Sequence, residues 1–146
     1  MISVAEVDRI IFDSLLDIGT EKLPLPKAIG RVLKEEVRAD RDFPPFDRVM
    51  MDGIGIRYAD WQAGRLEFKI AGLSAAGSAQ QVLEEAGHCL EVMTGAVMPK
   101  GLDTVVKYEE INIENGVALI NNDHQIGPVQ HVHTQGTDRR AGSLLM

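Results

Sequence analysis

A rigid, turn-rich segment at residues 43–53 constrains this chain more than any other feature. Pro44 and Pro45 fix φ and push the residues that precede them into extended geometry. Asp52-Gly53 then predicts a turn, because glycine tolerates positive φ and a short carboxylate can bond nearby backbone N–H groups. The sequence therefore predicts an ordered loop that presents Asp47 and Asp52 in fixed positions, as catalytic and binding loops do.

Length and composition are those of one compact domain or two small lobes. The chain has 146 residues, of which 45% are hydrophobic and 25% charged, as in ordinary globular proteins. Its apolar runs are shorter than the roughly 20 residues that cross a bilayer, and charged residues interrupt the N-terminal pattern, so we expect neither a membrane span nor a signal peptide. Cys89 is the only cysteine, which excludes an internal disulfide and predicts a cytoplasmic setting.

The charge balance bears on the class of partner. A net charge of −7 argues against a general nucleic-acid binder, because phosphate backbones need a basic surface. A small anionic ligand remains compatible with this charge, since the local field matters more than the total. Five arginines are available to supply such a field: Arg38, Arg41, Arg48, Arg139 and Arg140.

The chain begins with a helical pattern. Residues 3–17 predict an amphipathic helix, with Ser3 and Glu6 at capping-box spacing and Gly19 as its stop. Lys27 to Gly30 predicts a short helical turn, since Pro26 is acceptable at a first helical position. Residues 31–38 fit a strand or a helix equally well.

From about residue 54 to about residue 121 the pattern is mainly that of β-strands. Leu66–Ile70 alternates apolar and polar residues, and Leu90–Met93 repeats the pattern. Residues 104–120 carry the clearest signal, because Asn115-Gly116 between apolar runs is typical of a hairpin turn. Residues 78–86 fit either a helix or an excursion loop.

Isolated chemical motifs have ordinary structural explanations. His124, His131 and His133 suggest zinc ligands, with the last two on one face of a strand, but no cysteine or carboxylate cluster completes a familiar four-ligand spacing. We therefore predict no metal site and favour solvent-exposed or hydrogen-bonding histidines. Met93-Thr94-Gly95-Ala96 is, by spacing alone, a turn that ends a strand, and Cys89 is expected to be a buried inert thiol.

Taken together, the landmarks of this chain resemble the N-terminal region of the molybdopterin molybdotransferases, the MoeA type that includes the C-terminal part of gephyrin. The resemblance covers essentially all of the sequence. Its most specific motifs are Pro-Pro-Phe-Asp leading into Met-Asp-Gly, and Met-Thr-Gly-Ala. The landmarks occur in the order Gly30-Arg31-Val32-Leu33, Phe43 to Asp47, Met51-Asp52-Gly53, Tyr58-Ala59-Asp60, Val92 to Ala96 with Pro99, Gly101 and Asp103, Val105-Val106, then Pro128, Gly136, Asp138, Ala141 and Gly142.

The resemblance implies a function and its cofactors. Family members insert molybdate into the dithiolene of molybdopterin, using an adenylylated pterin whose nucleotide is released with a divalent metal. Mg²⁺ is expected in the whole enzyme, with most of its ligands outside this region. The family forms elongated homodimers whose cleft lies between this region of one subunit and the pterin-binding α/β domain of the other. That domain and a final small β domain are expected beyond residue 146, so the chain is expected to be a fragment without turnover of its own.

The resemblance also assigns residues. Asp52 and Thr94 fall on the family's catalytic aspartate and threonine, and Asp138 falls on the aspartate of a late Gly-x-Asp motif. Asp47, Gly53 and Gly95 accompany Asp138 as expected substrate-binding positions. Such a carboxylate can orient a water, and such a hydroxyl can bond an oxyanion.

This chain departs from the family pattern at three places, one of which is Ile54 and Gly55, where the family usually has tyrosine and alanine. Val49 and Met50 precede Met-Asp-Gly where the family has serine and alanine. His131, His133 and Gln135 stand in a stretch where the family carries an asparagine and several arginines, which removes fixed positive charge. Protonated histidines could replace that charge.

The expected fold is mainly β with an N-terminal helix, in two lobes of bifurcated or coiled β-sheet. Residues 1–45 plus 127–146 would form a helical, dimerising lobe, and residues 46–126 an inserted β-rich lobe. The leading function is the N-terminal part of a molybdenum-inserting transferase that acts on small-molecule substrates as a homodimer. The alternatives are a non-catalytic dimerisation or scaffold module and a histidine-based metal carrier.

Overall fold

The computed structural model describes residues 2–16, 18–121, 123 and 125–146, and it is mainly β with an N-terminal helix, as predicted. Two compact units are present, one extending to Glu36 and the other from Val37 to Met146. The predicted division into residues 1–45 plus 127–146 and residues 46–126 stays a prediction. No helix among the described residues has the length and apolar character needed to cross a membrane.

The first unit contains helix α1, Val4–Asp13, and a 3₁₀ turn at Leu25–Lys27. The Ser3 hydroxyl accepts a hydrogen bond from the Glu6 N–H at 3.3 Å, which confirms the predicted N-cap. The predicted end of the helix is wrong, because α1 ends at Asp13 rather than near residue 17. None of the residues in α1 is buried. Residues 31–36 adopt neither of the two regular structures that fitted their pattern.

The second unit is built on a six-stranded sheet. Its strands are β2, Gly53–Ile56; β3, Glu67–Ser74; β4, His88–Val92; β5, Thr104–Lys107; β6, Ile111–Glu114; and β7, Val117–Ile120. The spatial order is β5-β2-β4-β3-β7-β6, and all pairs are antiparallel except β3 with β4. The predicted hairpin is confirmed between β6 and β7, where Asn115 and Gly116 have φ of 51° and 77°. Residues 78–86 form a loop rather than a helix.

A short helix, α2 at Tyr58–Gln62, follows β2 and was not predicted. A separate two-stranded ladder pairs β1, Arg48–Val49, with β8, Val132–His133. His131 lies outside β8 with φ of +56°, so the expectation that His131 and His133 share one face of a strand is wrong.

Two apolar clusters fill the interior of the second unit. Alternate residues of a strand point to opposite faces of a sheet, so neighbouring residues enter different clusters. In β5, for example, Val106 belongs to one cluster and Val105 to the other. The first cluster contains Ile54, Ile56, Phe68, Cys89, Val106, Ile111, Ala118, Ile120 and Ile126. The second contains Val49, Leu90, Val92, Ala96, Met98, Leu102 and Val105.

Candidate functional site

The structure brings Asp52 and Thr94 into direct contact. Asp52 immediately precedes β2 and Thr94 lies just after β4, and the antiparallel register places Gly53 opposite Val92. The start of one strand therefore meets the end of the other at the same edge of the sheet. Asp52 Oδ1 accepts hydrogen bonds from the Thr94 backbone N–H and from the Thr94 hydroxyl, both at 2.7 Å.

These two hydrogen bonds favour the charged form of Asp52. The pKa of the Asp52 carboxyl is lowered below its ordinary value of 3.8, chiefly by the Thr94 backbone N–H and then by the Thr94 hydroxyl. Both residues are exposed. The pair therefore presents an ionised carboxylate and an oriented hydroxyl to solvent at neutral pH.

A shallow depression of about 310 Å³ adjoins this pair, lined by Arg48, Val49, Met50, Thr94 and Gly95. The Val49 N–H donates to the Ala96 carbonyl, and the Gly95 N–H donates to the Val49 carbonyl, each at 2.9 Å. Gly95 has φ of +89°, a conformation that favours glycine. The buried Val49 thus holds the floor of the depression onto the second apolar cluster.

The tail of the chain contacts the lining residues of the depression through β8, which pairs with β1. Arg48 and His133 are directly opposed in the β1–β8 ladder. The Arg48 guanidinium lies 3.2 Å from His133 Nδ1, and His133 Nε2 lies 3.0 Å from Asp138 Oδ1. Asp138, a predicted substrate-binding residue, is therefore connected to the depression through two intervening side chains, those of His133 and Arg48.

The other predicted positions hold the backbone around the site. Asp47 Oδ1 accepts the Gln135 N–H at 2.7 Å, which joins the proline-rich loop to the tail. Gly53 is buried in β2, where a Cβ atom would lie 2.0 Å from the Val106 carbonyl oxygen. Glycine at position 53 therefore permits the close pairing of β2 with β5.

Three residues near Asp52 and Asp47 were missed by the sequence analysis. Asp42 accepts hydrogen bonds from the Ala141 N–H and the Gln135 side-chain amide, both at 2.9 Å, and these bonds lower the pKa of its carboxyl.

The other two residues are Glu91, in β4, and Tyr108, which directly follows β5. The Tyr108 hydroxyl donates a hydrogen bond to Glu91 Oε1 at 2.9 Å. Burial, with Glu91 and then Asp52 as further causes, raises the pKa of Tyr108 to about 12. Glu91 and Tyr108 both lie in segments with a strand signal, but no local pattern marked either of them, or Asp42, as part of a site.

The histidines do not assemble a metal centre in the part of the chain that the structure describes. Among residues 2–16, 18–121, 123 and 125–146, no three histidine, cysteine, aspartate or glutamate side chains lie together as ligands. His124 lies outside the described residues. Cys89 is buried, which raises the pKa of its thiol to about 12 and makes it a poor nucleophile.

Comparison with known proteins agrees with these landmarks. The family model described as the MoeA N-terminal region, domain I and II, matches residues 2–146. The molybdopterin molybdenumtransferase of Synechocystis is 42% identical over the whole chain, which covers 37% of that relative. The enzyme of the same name from Nostoc is 33% identical over the whole chain, which covers 35% of it.

A solved structure shows the same fold. The molybdopterin biosynthesis MoeA protein from Pyrococcus horikoshii superposes with a TM-score of 0.76 at 29% identity, over 94% of this chain and 36% of that one. The chain thus spans little more than a third of the length of the relatives it matches. Family model, relatives and structure concur over nearly every residue, and the chain belongs to the MoeA N-terminal region family.

Proposed function

We propose that this chain is the N-terminal part of a molybdenum cofactor biosynthesis enzyme that inserts molybdate into adenylylated molybdopterin. The curated relatives are named molybdopterin molybdenumtransferase, which supports the reaction class. The observation that carries the proposal is the contact of Asp52 with Thr94 through two 2.7 Å hydrogen bonds.

The chemistry of the pair follows from its hydrogen bonds. Because the pKa of Asp52 is lowered, its carboxylate is a weak base and is better suited to orienting a water or hydroxyl than to removing a proton. The Thr94 hydroxyl donates a hydrogen bond to Asp52. Its oxygen lone pairs therefore remain available to accept a hydrogen bond from a protonated oxyanion or a water. The pair would thus fix the orientation of the incoming oxyanion beside the pterin.

Magnesium is proposed only for the whole enzyme. The described residues of this chain offer no set of three ligands, so no step is assigned to the metal here. The homodimer and the cytoplasmic location are likewise proposals. The exposed apolar side chains of α1 support the homodimer, because apolar surface of this kind is typical of interfaces.

The test is a molybdate-insertion assay on the longer protein that carries this region, with purified adenylylated molybdopterin and molybdate. Asp52→Asn keeps the shape of the side chain and removes its charge, and we expect the insertion rate to fall about 100-fold or more. Asp103→Asn is the matched control, because Asp103 Oδ1 also accepts a backbone N–H at 2.7 Å, from Tyr58. We expect this control to stay within about threefold of the wild type.

The competing scaffold function makes the opposite prediction. If the longer protein dimerises but transfers no molybdenum, the scaffold function is favoured and the transferase is rejected. If Asp52→Asn and Asp103→Asn both retain the wild-type rate, the transferase stands but the site assignment is wrong.

A further inference from the structure

We infer that Arg48 is the fixed cation that binds an oxyanion in the depression beside Thr94, and that His133 and Asp138 position it. This inference rests on the proposed function and names the group that would hold its anionic substrate. Arg48 lines the depression, and its guanidinium, His133 and Asp138 form one continuous row of side-chain contacts at 3.2 Å and 3.0 Å.

The chemistry of the three groups sets the direction of the contacts in this row. A guanidinium has donors only, so His133 Nδ1 must accept the bond from Arg48. His133 Nε2 in turn lies 3.0 Å from Asp138 Oδ1, to which it can donate. His133 therefore links Arg48 to Asp138, and the fixed positive charge at this edge of the depression belongs to Arg48.

The strand register places the charge of Arg48 at the edge that β1 shares with the tail. Arg48 and His133 are direct partners in the β1–β8 register, so a cation on β1 occupies the same edge as one on β8 would. Arginine stays charged at any physiological pH, whereas a histidine would supply charge only in part.

A cation is needed here on electrostatic grounds. The chain carries a net charge of −7, and the ionised Asp52 is bonded to Thr94, which itself lines the depression. An oxyanion placed beside Thr94 would meet that carboxylate unless a positive group faced it. The guanidinium has five donor hydrogens, and one bond to His133 leaves the others for a tetrahedral oxyanion.

The shared chemistry is a tetrahedral oxyanion, which is either molybdate or a phosphate of the adenylylated pterin. The two sources separate in the insertion assay, because the KM for molybdate and the KM for the pterin are measured independently. Arg48→Gln should raise one of these two KM values about 10- to 100-fold, the usual effect of losing a charged hydrogen bond, and change kcat less than about threefold. His133→Leu should raise the same KM by a smaller factor.

A strand-swapped variant distinguishes charge from packing. Arg48→Gln combined with His133→Arg moves the cation to the opposite residue of the ladder, and we expect it to restore most of the lost affinity. Arg41→Gln is the control, because Arg41 is an exposed arginine whose guanidinium is held by Asp40. It should leave both KM values unchanged.

Each result decides the inference. Unchanged KM values in Arg48→Gln would overturn it while leaving the proposed function intact, and so would a loss that the swap fails to restore. If the wild type transfers no molybdenum, the proposed function fails, and titration calorimetry with molybdate and with pyrophosphate decides this inference separately. Weaker binding by Arg48→Gln than by Arg41→Gln supports it; equal binding, or none by the wild type, overturns it.

Discussion

The two units of this chain use the same kinds of apolar residue in opposite ways. In α1, Val4 and Phe12 remain 78% and 71% exposed, and none of the helix is buried. In the unit from Val37 to Met146, Ile54 and Phe68 are completely buried. The β-rich unit therefore completes a core of its own, whereas the helix leaves apolar residues exposed among the described residues of the first unit.

The difference shows what an amphipathic pattern can predict. Apolar residues at helical spacing identify a face, but they do not identify what covers it. In the sheet, strand pairing itself brings the partner residues together, so pattern and packing agree. An exposed apolar helical face is typical of a subunit interface. The homodimer stays a prediction.

The largest expected effect is a difference in stability between two Phe→Ala variants, one in each unit. Phe68→Ala removes a fully buried ring from the first apolar cluster and should lower the free energy of unfolding by about 3–5 kcal/mol. Phe12→Ala removes an exposed ring and, at protein concentrations where the chain is monomeric, should change it by less than about 0.5 kcal/mol. Urea denaturation followed by circular dichroism measures both, and equal losses would contradict the comparison.

A second, smaller effect concerns association. Ile11 is 52% exposed in α1, and Ile11→Asp places a charge on the apolar helix. If this helix is the subunit interface, the dimer dissociation constant should rise about 10- to 100-fold, as for an interface residue worth about 2 kcal/mol. Sedimentation equilibrium measures it, with Asp8→Asn as the control on the same helix. A wild-type chain that is monomeric at all concentrations would rule out self-association of these residues.

The smallest expected effect is a change in the pKa of Asp52, which lies in the second unit. Hydrogen bonds from Thr94 lower the pKa of Asp52 below 3.8, so its stabilising contribution is fully present above pH 3.8 and is lost as the pH falls through the lowered value. Thr94→Val removes the hydroxyl and keeps the backbone N–H, so the pKa of Asp52 should rise part of the way towards 3.8. Carboxyl NMR titration of both proteins measures it, and an identical pKa would exclude the hydroxyl bond.

Local features of the fold were predictable from the sequence. Asn115-Gly116 specifies its hairpin within four residues, and Ser3 caps α1 through a bond to Glu6. The end of α1 was not predictable in this way, because the apolar pattern continues past Asp13 although the helix does not. Helix α2 was not predictable from a local capping motif. The N–H of its first residue, Tyr58, donates to Asp103, which is 45 positions away in the sequence.

The candidate site was predictable as residues but not as an arrangement. Asp52 and Thr94 stand out through family motifs, while their contact depends on the register of β2 with β4, which pairs distant parts of the chain. The sequence identified Arg48 as one of five candidate cations but did not distinguish it from the other four. Its contact with His133 joins residues 85 positions apart, so no local pattern predicts it. Such long-range pairing depends on tertiary packing, which no local pattern encodes.

The most direct test of the site is a pair of substitutions at position 94. Thr94→Ser keeps the hydroxyl that bonds Asp52, while Thr94→Val has nearly the same shape and lacks it. In the molybdate-insertion assay of the longer protein, the serine variant should stay within about fivefold of the wild-type rate and the valine variant should lose about 100-fold or more. A valine variant as fast as the wild type would contradict the role assigned to Asp52 and Thr94.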